Sequence, residues 1–158
     1  DTIENNIKLG MPDASHDKVV EAAKSAMCHD FIESFPDGYN TMIGEGGASL
    51  SGGEKQRISI ARAMLKDAPI ILFDEATANI DPENEDKLRL AIEKLTRGKT
   101  IIMIAHQLST IQNADQIIVL NHGQIKQMGT HKELKDQNGL YKTLIEMKSK
   151  AAVWKVTN

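Results

Sequence analysis

The spacing of apolar residues changes along the chain. Up to about residue 68 it is helical. Asp1-Thr2-Ile3-Glu4 reads as a helix start, with Asp1 as cap and Glu4 three residues on. Gly10-Met11-Pro12-Asp13 breaks that helix, and Ser15 is placed to cap the next. Val19, Ala22, Ala23, Ala26 and Met27 then share one helical face. A short helix from Asp30 to Phe35 meets the turn signal Pro36-Asp37-Gly38, and Gly44-Glu45-Gly46-Gly47 is a loop. A longer helix is predicted from Gly52 to Lys66.

Beyond Pro69 the pattern becomes short continuous apolar runs separated by helical spacing. Ile70-Ile71-Leu72-Phe73 reads as a buried parallel strand, because both of its faces are apolar. Asp81-Pro82 opens a helix with core face Leu88, Ala91, Ile92 and Leu95, ended by Gly98. Thr100–Ala105 and Gln116–Leu120 are further strands. Asn121-His122-Gly123 turns into an antiparallel partner, Gln124–Met128. Thr130 and Glu133 form a capping box, and a last helix starts near Leu140. Strand–helix alternation implies a parallel sheet with helices packed on it. The expected division is a helical part, 1–68, and an α/β part, 69–158.

Composition narrows the class without naming a chemistry. The 158 residues are 41% hydrophobic and 26% charged, ordinary for about one globular domain. The net charge of -3 argues against a protein that binds nucleic acid by neutralising phosphates. Cys28 is the single cysteine, so no internal disulfide forms and a reducing compartment is the simplest setting. No apolar run approaches the ~20 residues of a membrane-spanning helix.

Four segments carry candidate chemistry. In Leu50-Ser51-Gly52-Gly53-Glu54, Ser51 caps a helix and Glu54 completes a capping box. Paired glycines leave the first amides uncovered at the positive end of the helix dipole, which suits phosphate; an ordinary capped helix is the alternative. Asp74 and Glu75 end a buried strand at its carboxyl edge, where α/β sheets place ligands. Alternation lets one carboxylate hold a metal while the other orients a water, or both are simply solvated. His106 ends the next strand in the same way, and Asp81 is at least a helix cap.

Taken in order, these segments resemble the ATP-binding cassette (ABC) ATPase domain of exporters. Leu50–Glu54 is similar to the ABC signature motif, Ile70–Glu75 to a Walker B motif with its following catalytic glutamate, Ala78–Asp81 to the D-loop, and His106 to the switch histidine. Asp1–Ile7 resembles the stretch after the exporter Q-loop, and Gly129–Leu134 a late segment of the family. Gly44–Gly47 sits where exporters have their X-loop, with Gly46 in place of the usual arginine.

The resemblance implies a P-loop NTPase-like (RecA-like) α/β fold with an α-helical subdomain, truncated on its N-terminal side. It implies ATP and Mg²⁺ as cofactors. Asp74 would hold Mg²⁺, and Glu75 and His106 would be catalytic. Ser51, Gly52, Gly53, Glu54 and Asp81 would face the ATP of a second ABC ATPase domain. It also implies a transmembrane domain upstream in the same polypeptide, a place at the cytoplasmic face of a membrane, and no nucleic-acid partner. A non-catalytic module presenting its signature helix to another cassette is the competing reading.

No Gly-x-x-x-x-Gly-Lys-Ser/Thr loop occurs; the nearest pattern, Gly47 to Gly52, is followed by Gly53 and Glu54. In the family the strand leading to that loop separates the strands corresponding to Thr100–Ala105 and Gln116–Leu120. Closure of that gap is expected by direct pairing, chain exchange or contact with another molecule.

Overall fold

The computed structural model describes residues 1–74, 82–105 and 111–147. The chain divides into two compact units, Asp1–Ile104 and Ala105–Asn158.

The first unit is built around one helix. Helices α1 (Ile3–Lys8), α2 (His16–Ser25) and α3 (His29–Glu33) lead through a 3₁₀ turn (Gly38–Asn40) to α4 (Gly52–Lys66). Strand β1 (Ile70–Asp74), helix α5 (Pro82–Thr96) and strand β2 (Thr100–Ile104) complete the unit. α4 packs against α1, α2 and α5. Its Ile58, Ala61 and Leu65 join Ile3, Ile7, Val19, Ala23, Ile32, Leu88, Ala91 and Leu95 in one core. Each large aliphatic side chain buried there contributes roughly 1.5–3 kcal/mol of transfer free energy.

Close approach tightens the α1–α4 contact. A Cβ on Gly10 would stand 2.2 Å from the Arg62 carbonyl oxygen, so the turn after α1 lies directly on the α4 backbone. The Arg62 Nε donates to the Asn6 carbonyl at 2.8 Å across the same contact.

Local expectations hold at most helix ends. Ser15 caps α2 by accepting the Lys18 N–H, and α4 has the expected bounds. α5 buries Leu88, Ala91 and Leu95, with Ile92 half-buried, and Gly98 follows it at φ +72°. The cap of α1 is Thr2 rather than Asp1. The Thr2 hydroxyl accepts the Asn5 N–H at 3.1 Å, whereas the Asp1 carboxylate takes the Thr2 N–H and the Asn5 side-chain amide.

β1 and β2 pair in parallel, from Ile70 opposite Thr100 to Asp74 opposite Ile104. Burial on both faces was expected and is not found. Phe73 is buried, and Ile71 and Ile101 pack partly against the helical core. The alternate residues, Ile70 (56%), Leu72 (74%), Ile102 (52%) and Ile104 (58%), are exposed. Helices cover one face of this two-stranded sheet; among the described residues the other face has no cover.

The second unit contains the hairpin β3 (Ile117–Asn121) and β4 (Gln124–Gly129), then α6 (His131–Asp136) and a helix over 140–147. His122 (φ +49°) and Gly123 (φ +73°) form its two-residue turn, the left-handed pair that suits strand twist. Thr130 and Glu133 form the expected capping box. Ile117, Val119, Leu134 and Tyr141 make a small core. Ile118, Leu120, Ile125 and Met128 are exposed. Among the described residues the pairings within each unit are β1 with β2 and β3 with β4.

Candidate functional site

The most completely built candidate site is the first turn of α4. Ser51 is extended (φ −63°, ψ 162°), which aims its hydroxyl back over the helix start. The hydroxyl accepts the Glu54 N–H at 3.3 Å, and the Glu54 carboxylate accepts the Ser51 N–H at 2.8 Å. These reciprocal bonds satisfy two of the groups that a helix start leaves without partners. The amides of Gly52 and Gly53 remain at the helix start, where the dipole places about half a positive charge.

Gly52 is exposed, and a Cβ there would meet nothing within 4 Å. Packing inside the chain therefore gives no reason for a missing side chain at this position. An outside group approaching the amides closely would give one. Leu50, immediately before the turn, is buried and anchors it to the core.

Asp74 stands exposed at the carboxyl end of β1, level with Ile104 at the end of β2. A strand-end carboxylate suits Mg²⁺, which is commonly held by one or two protein carboxylates together with substrate phosphates. A helix start of this kind offers amides to phosphates, so each of the two elements, taken by itself, fits its expected group: Asp74 a Mg²⁺ and the α4 start a nucleotide. Ser51, Gly52, Gly53 and Glu54 are brought together on one turn; Asp74 belongs to a separate element. Glu75, Asp81 and His106 lie outside the described residues.

The loop before α4 is held tightly at its base. The Ile3 N–H donates to the Thr41 carbonyl, and the Ile43 N–H to that of Asp1. Gly44 and Gly46 take φ +104° and +79°. The left-handed backbone at Gly46 explains locally why glycine stands there instead of a side chain such as arginine. Among the described residues no helix is long and apolar enough to cross a membrane.

One residue of this region was missed from sequence. Arg57 is buried beneath the α4 turn, its guanidinium 5.2 Å from the centre of the Phe31 ring. The signal was available: Arg57, Ala61 and Leu65 are spaced by four and fall on one stripe of α4, so an arginine occupies a core position.

Comparison with known proteins decides the family. A model of the ABC transporter family matches residues 2–78. The chain is 49% identical over 148 residues to the ATP-dependent lipid A-core flippase of Haemophilus influenzae, covering 93% of this chain and 25% of that protein. The chain belongs to the ABC transporter family. It is also 50% identical over 145 residues to ABC transporter B family member 4 of Dictyostelium discoideum, covering 92% of this chain and 19% of that one. A bacterial Atm1-family ABC exporter solved with ATP bound superposes with a TM-score of 0.79 at 44% identity, covering 94% of this chain and 26% of that chain. The P-loop NTPase-like fold class follows from these matches. The chain spans about a quarter or less of the length of these proteins.

Proposed function

We propose that this chain is part of the ATPase motor of an ABC exporter whose parent couples Mg-ATP hydrolysis to export across a membrane. Residues 1–68 act as its helical subdomain and 69–158 as the C-terminal part of its nucleotide-hydrolysing core. The observation that carries the reading is the α4 start: a doubly capped helix N-terminus whose first residue is an open glycine. The family match and the ATP-bound exporter neighbour support the choice of nucleotide.

Phosphoryl transfer depends chiefly on positioning and on neutralising charge around the transferred group. Ser51, Gly52 and Gly53 present a hydroxyl and amides to phosphates of ATP held by a second cassette, with Glu54 fixing the turn; Asp81 serves the same partner-bound ATP. Asp74 holds Mg²⁺, which neutralises phosphate charge when bound. Glu75 accepts a proton from, or orients, the attacking water, and His106 donates to the γ-phosphate. The remaining hold on the nucleotide comes from a P-loop, a motif absent from these 158 residues. The chain alone therefore neither binds ATP tightly nor hydrolyses it. The partners are a second ATPase domain and a transmembrane domain, at the cytoplasmic face of a membrane.

Glu75→Gln in the full-length transporter tests the assignment. Turnover should be nearly abolished while ATP-bound dimers accumulate. Retention of most activity overturns the role of Glu75. Submicromolar ATP binding by the chain alone, measured by calorimetry, overturns the dependence on a P-loop supplied elsewhere.

A further inference from the structure

A cleft of about 690 Å³ lies at the opposite end of α4 from the Ser51 turn. α2, the last turn of α4 and the end of α5 form its walls. α4 has 15 residues, which separates the two places by roughly 22 Å. Through Asp67 and Lys99 the cleft also flanks the amino ends of β1 and β2, whereas Asp74 stands at the carboxyl end of β1. It is therefore distinct from the candidate site, and nothing about it depends on what the α4 start binds.

Its lining has two parts. Ala22, Leu65 and Leu95 are core residues whose edges form an apolar floor, with Met11 and Met64 beside them. Methionine adapts to varied apolar shapes, and Met11 is exposed. Around that floor stand Lys18, Lys94, Arg97 and Lys99, with two carboxylates, Glu21 and Asp67. Lys99 is paired with Asp67 at 2.8 Å. Lys18, Lys94 and Arg97 are exposed, and no hydrogen bond or ion pair among the described residues engages them. Three cations thus share the cleft with one remaining carboxylate, in a chain whose net charge is -3.

Helix ends account for part of this. Lys94 lies in the last turn of α5 and Arg97 just beyond it, where a helix dipole favours cations. Lys18 has the opposite placement. It is the third residue of α2, where the dipole disfavours a cation, and it joins the cluster from a different wall. Like charges gathered without a counter-ion repel one another, and an anion bound among them relieves that repulsion. Sites for small molecules are concave, of this size, floored by apolar groups and edged by a few polar ones.

We propose that this cleft binds an organic anion with an apolar body. The acid group sits among Lys18, Lys94 and Arg97, and the apolar part lies on Met11, Met64 and Leu95. The ligand class is a carboxylate, sulfonate or phosphate carried on an aryl or acyl group.

The test uses the full-length protein and pyridoxal 5′-phosphate, a phosphate on an aromatic ring. Its aldehyde condenses with a lysine amine, losing water, and borohydride reduction fixes the product, so peptide mapping reads each lysine separately. At limiting reagent Lys18 and Lys94 should be labelled ahead of the exposed Lys87 and Lys132. Pyridoxal, which lacks the phosphate, should label them more slowly by about three- to fivefold, the upper range for one exposed ion pair. Arg97→Gln, at an exposed position, should keep the unfolding temperature and slow labelling of both lysines by pyridoxal 5′-phosphate to a similar extent. Naphthalene-2-sulfonate should protect Lys18 and Lys94 at concentrations where methanesulfonate does not.

Equal labelling by pyridoxal and its phosphate overturns the proposal, since the lysines are then merely reactive. Equal protection by the two sulfonates overturns the assigned ligand class, because the apolar floor then takes no part. Unchanged labelling in a folded Arg97→Gln overturns the seat given to the acid group.

Discussion

α4 and β1 are separated by three residues, yet their apolar residues meet different fates. α4 finds α1, α2 and α5 around it, and Ile58, Ala61 and Leu65 disappear into the core. β1 is as apolar as any segment of the chain, yet Ile70 and Leu72 are exposed, and so is every residue of β2 except Ile101. The hairpin β3–β4 repeats that arrangement in the second unit, with one face in a small core and the other exposed. The helical region contains the partners it needs. Among the described residues each two-stranded sheet has partners for one face, and an exposed apolar face of that kind is a surface for association.

The sharpest way to break this contrast is to truncate one leucine on each side. Leu65→Ala removes a buried side chain and should cost roughly 2–5 kcal/mol in denaturant unfolding of the chain. Leu72→Ala removes an exposed one and should stay within about 0.5 kcal/mol. Comparable losses at both positions would mean that the outer face of β1 is covered in solution.

Two glycines extend the contrast to the backbone. Gly10→Ala forces a Cβ into the Arg62 carbonyl and should destabilise by about 1–3 kcal/mol. Gly52→Ala meets open space and should be neutral or stabilising by up to about 1 kcal/mol. A smaller effect is expected from Ser51→Ala, which loses one half of the α4 capping box and about 1 kcal/mol.

How much was legible follows the same line. Ser15, Ser51, Thr130 and the His122-Gly123 turn were readable because each satisfies backbone groups a few residues away. The bounds of α4 and the core face of α5 were readable because helical spacing repeats over four turns. Choosing between Asp1 and Thr2 as the first cap was not, since both carry suitable oxygens one residue apart. The exposure of Ile70 and Leu72 was not legible either: an apolar run states that a strand wants cover on both faces, not whether the cover is at hand. At the candidate site the capping box of Ser51 and Glu54 was legible, because its two bonds join residues three apart. The burial of Arg57 was not legible, because a charged side chain on a helix is ordinarily solvated even where its position falls in an apolar stripe.

The smallest expected effect concerns acid. The Lys8 ammonium, hydrogen-bonded to Glu4, and then His16 at 2.8 Å hold the Glu4 carboxyl below its ordinary value of 4.5. A depressed folded-state pKa gives stability that is present above the unfolded value and is lost as pH falls through the folded one. Glu4→Gln should therefore flatten the acid limb of a stability–pH curve and leave the slope near neutrality unchanged. An identical acid limb in the variant would remove the α1–α2 tie, Glu4 to His16, from the account.

On the function proposed above, the open space in front of Gly52 is kept for a nucleotide on another cassette. Aspartate suits the first turn of a helix, where its charge complements the dipole, and nothing within the chain obstructs it at this position. Gly52→Asp should thus preserve or raise the unfolding temperature of the full-length Glu75→Gln transporter while abolishing ATP-driven association of its ATPase domains. Undiminished association, with the aspartate in place and the protein folded, would contradict the claim.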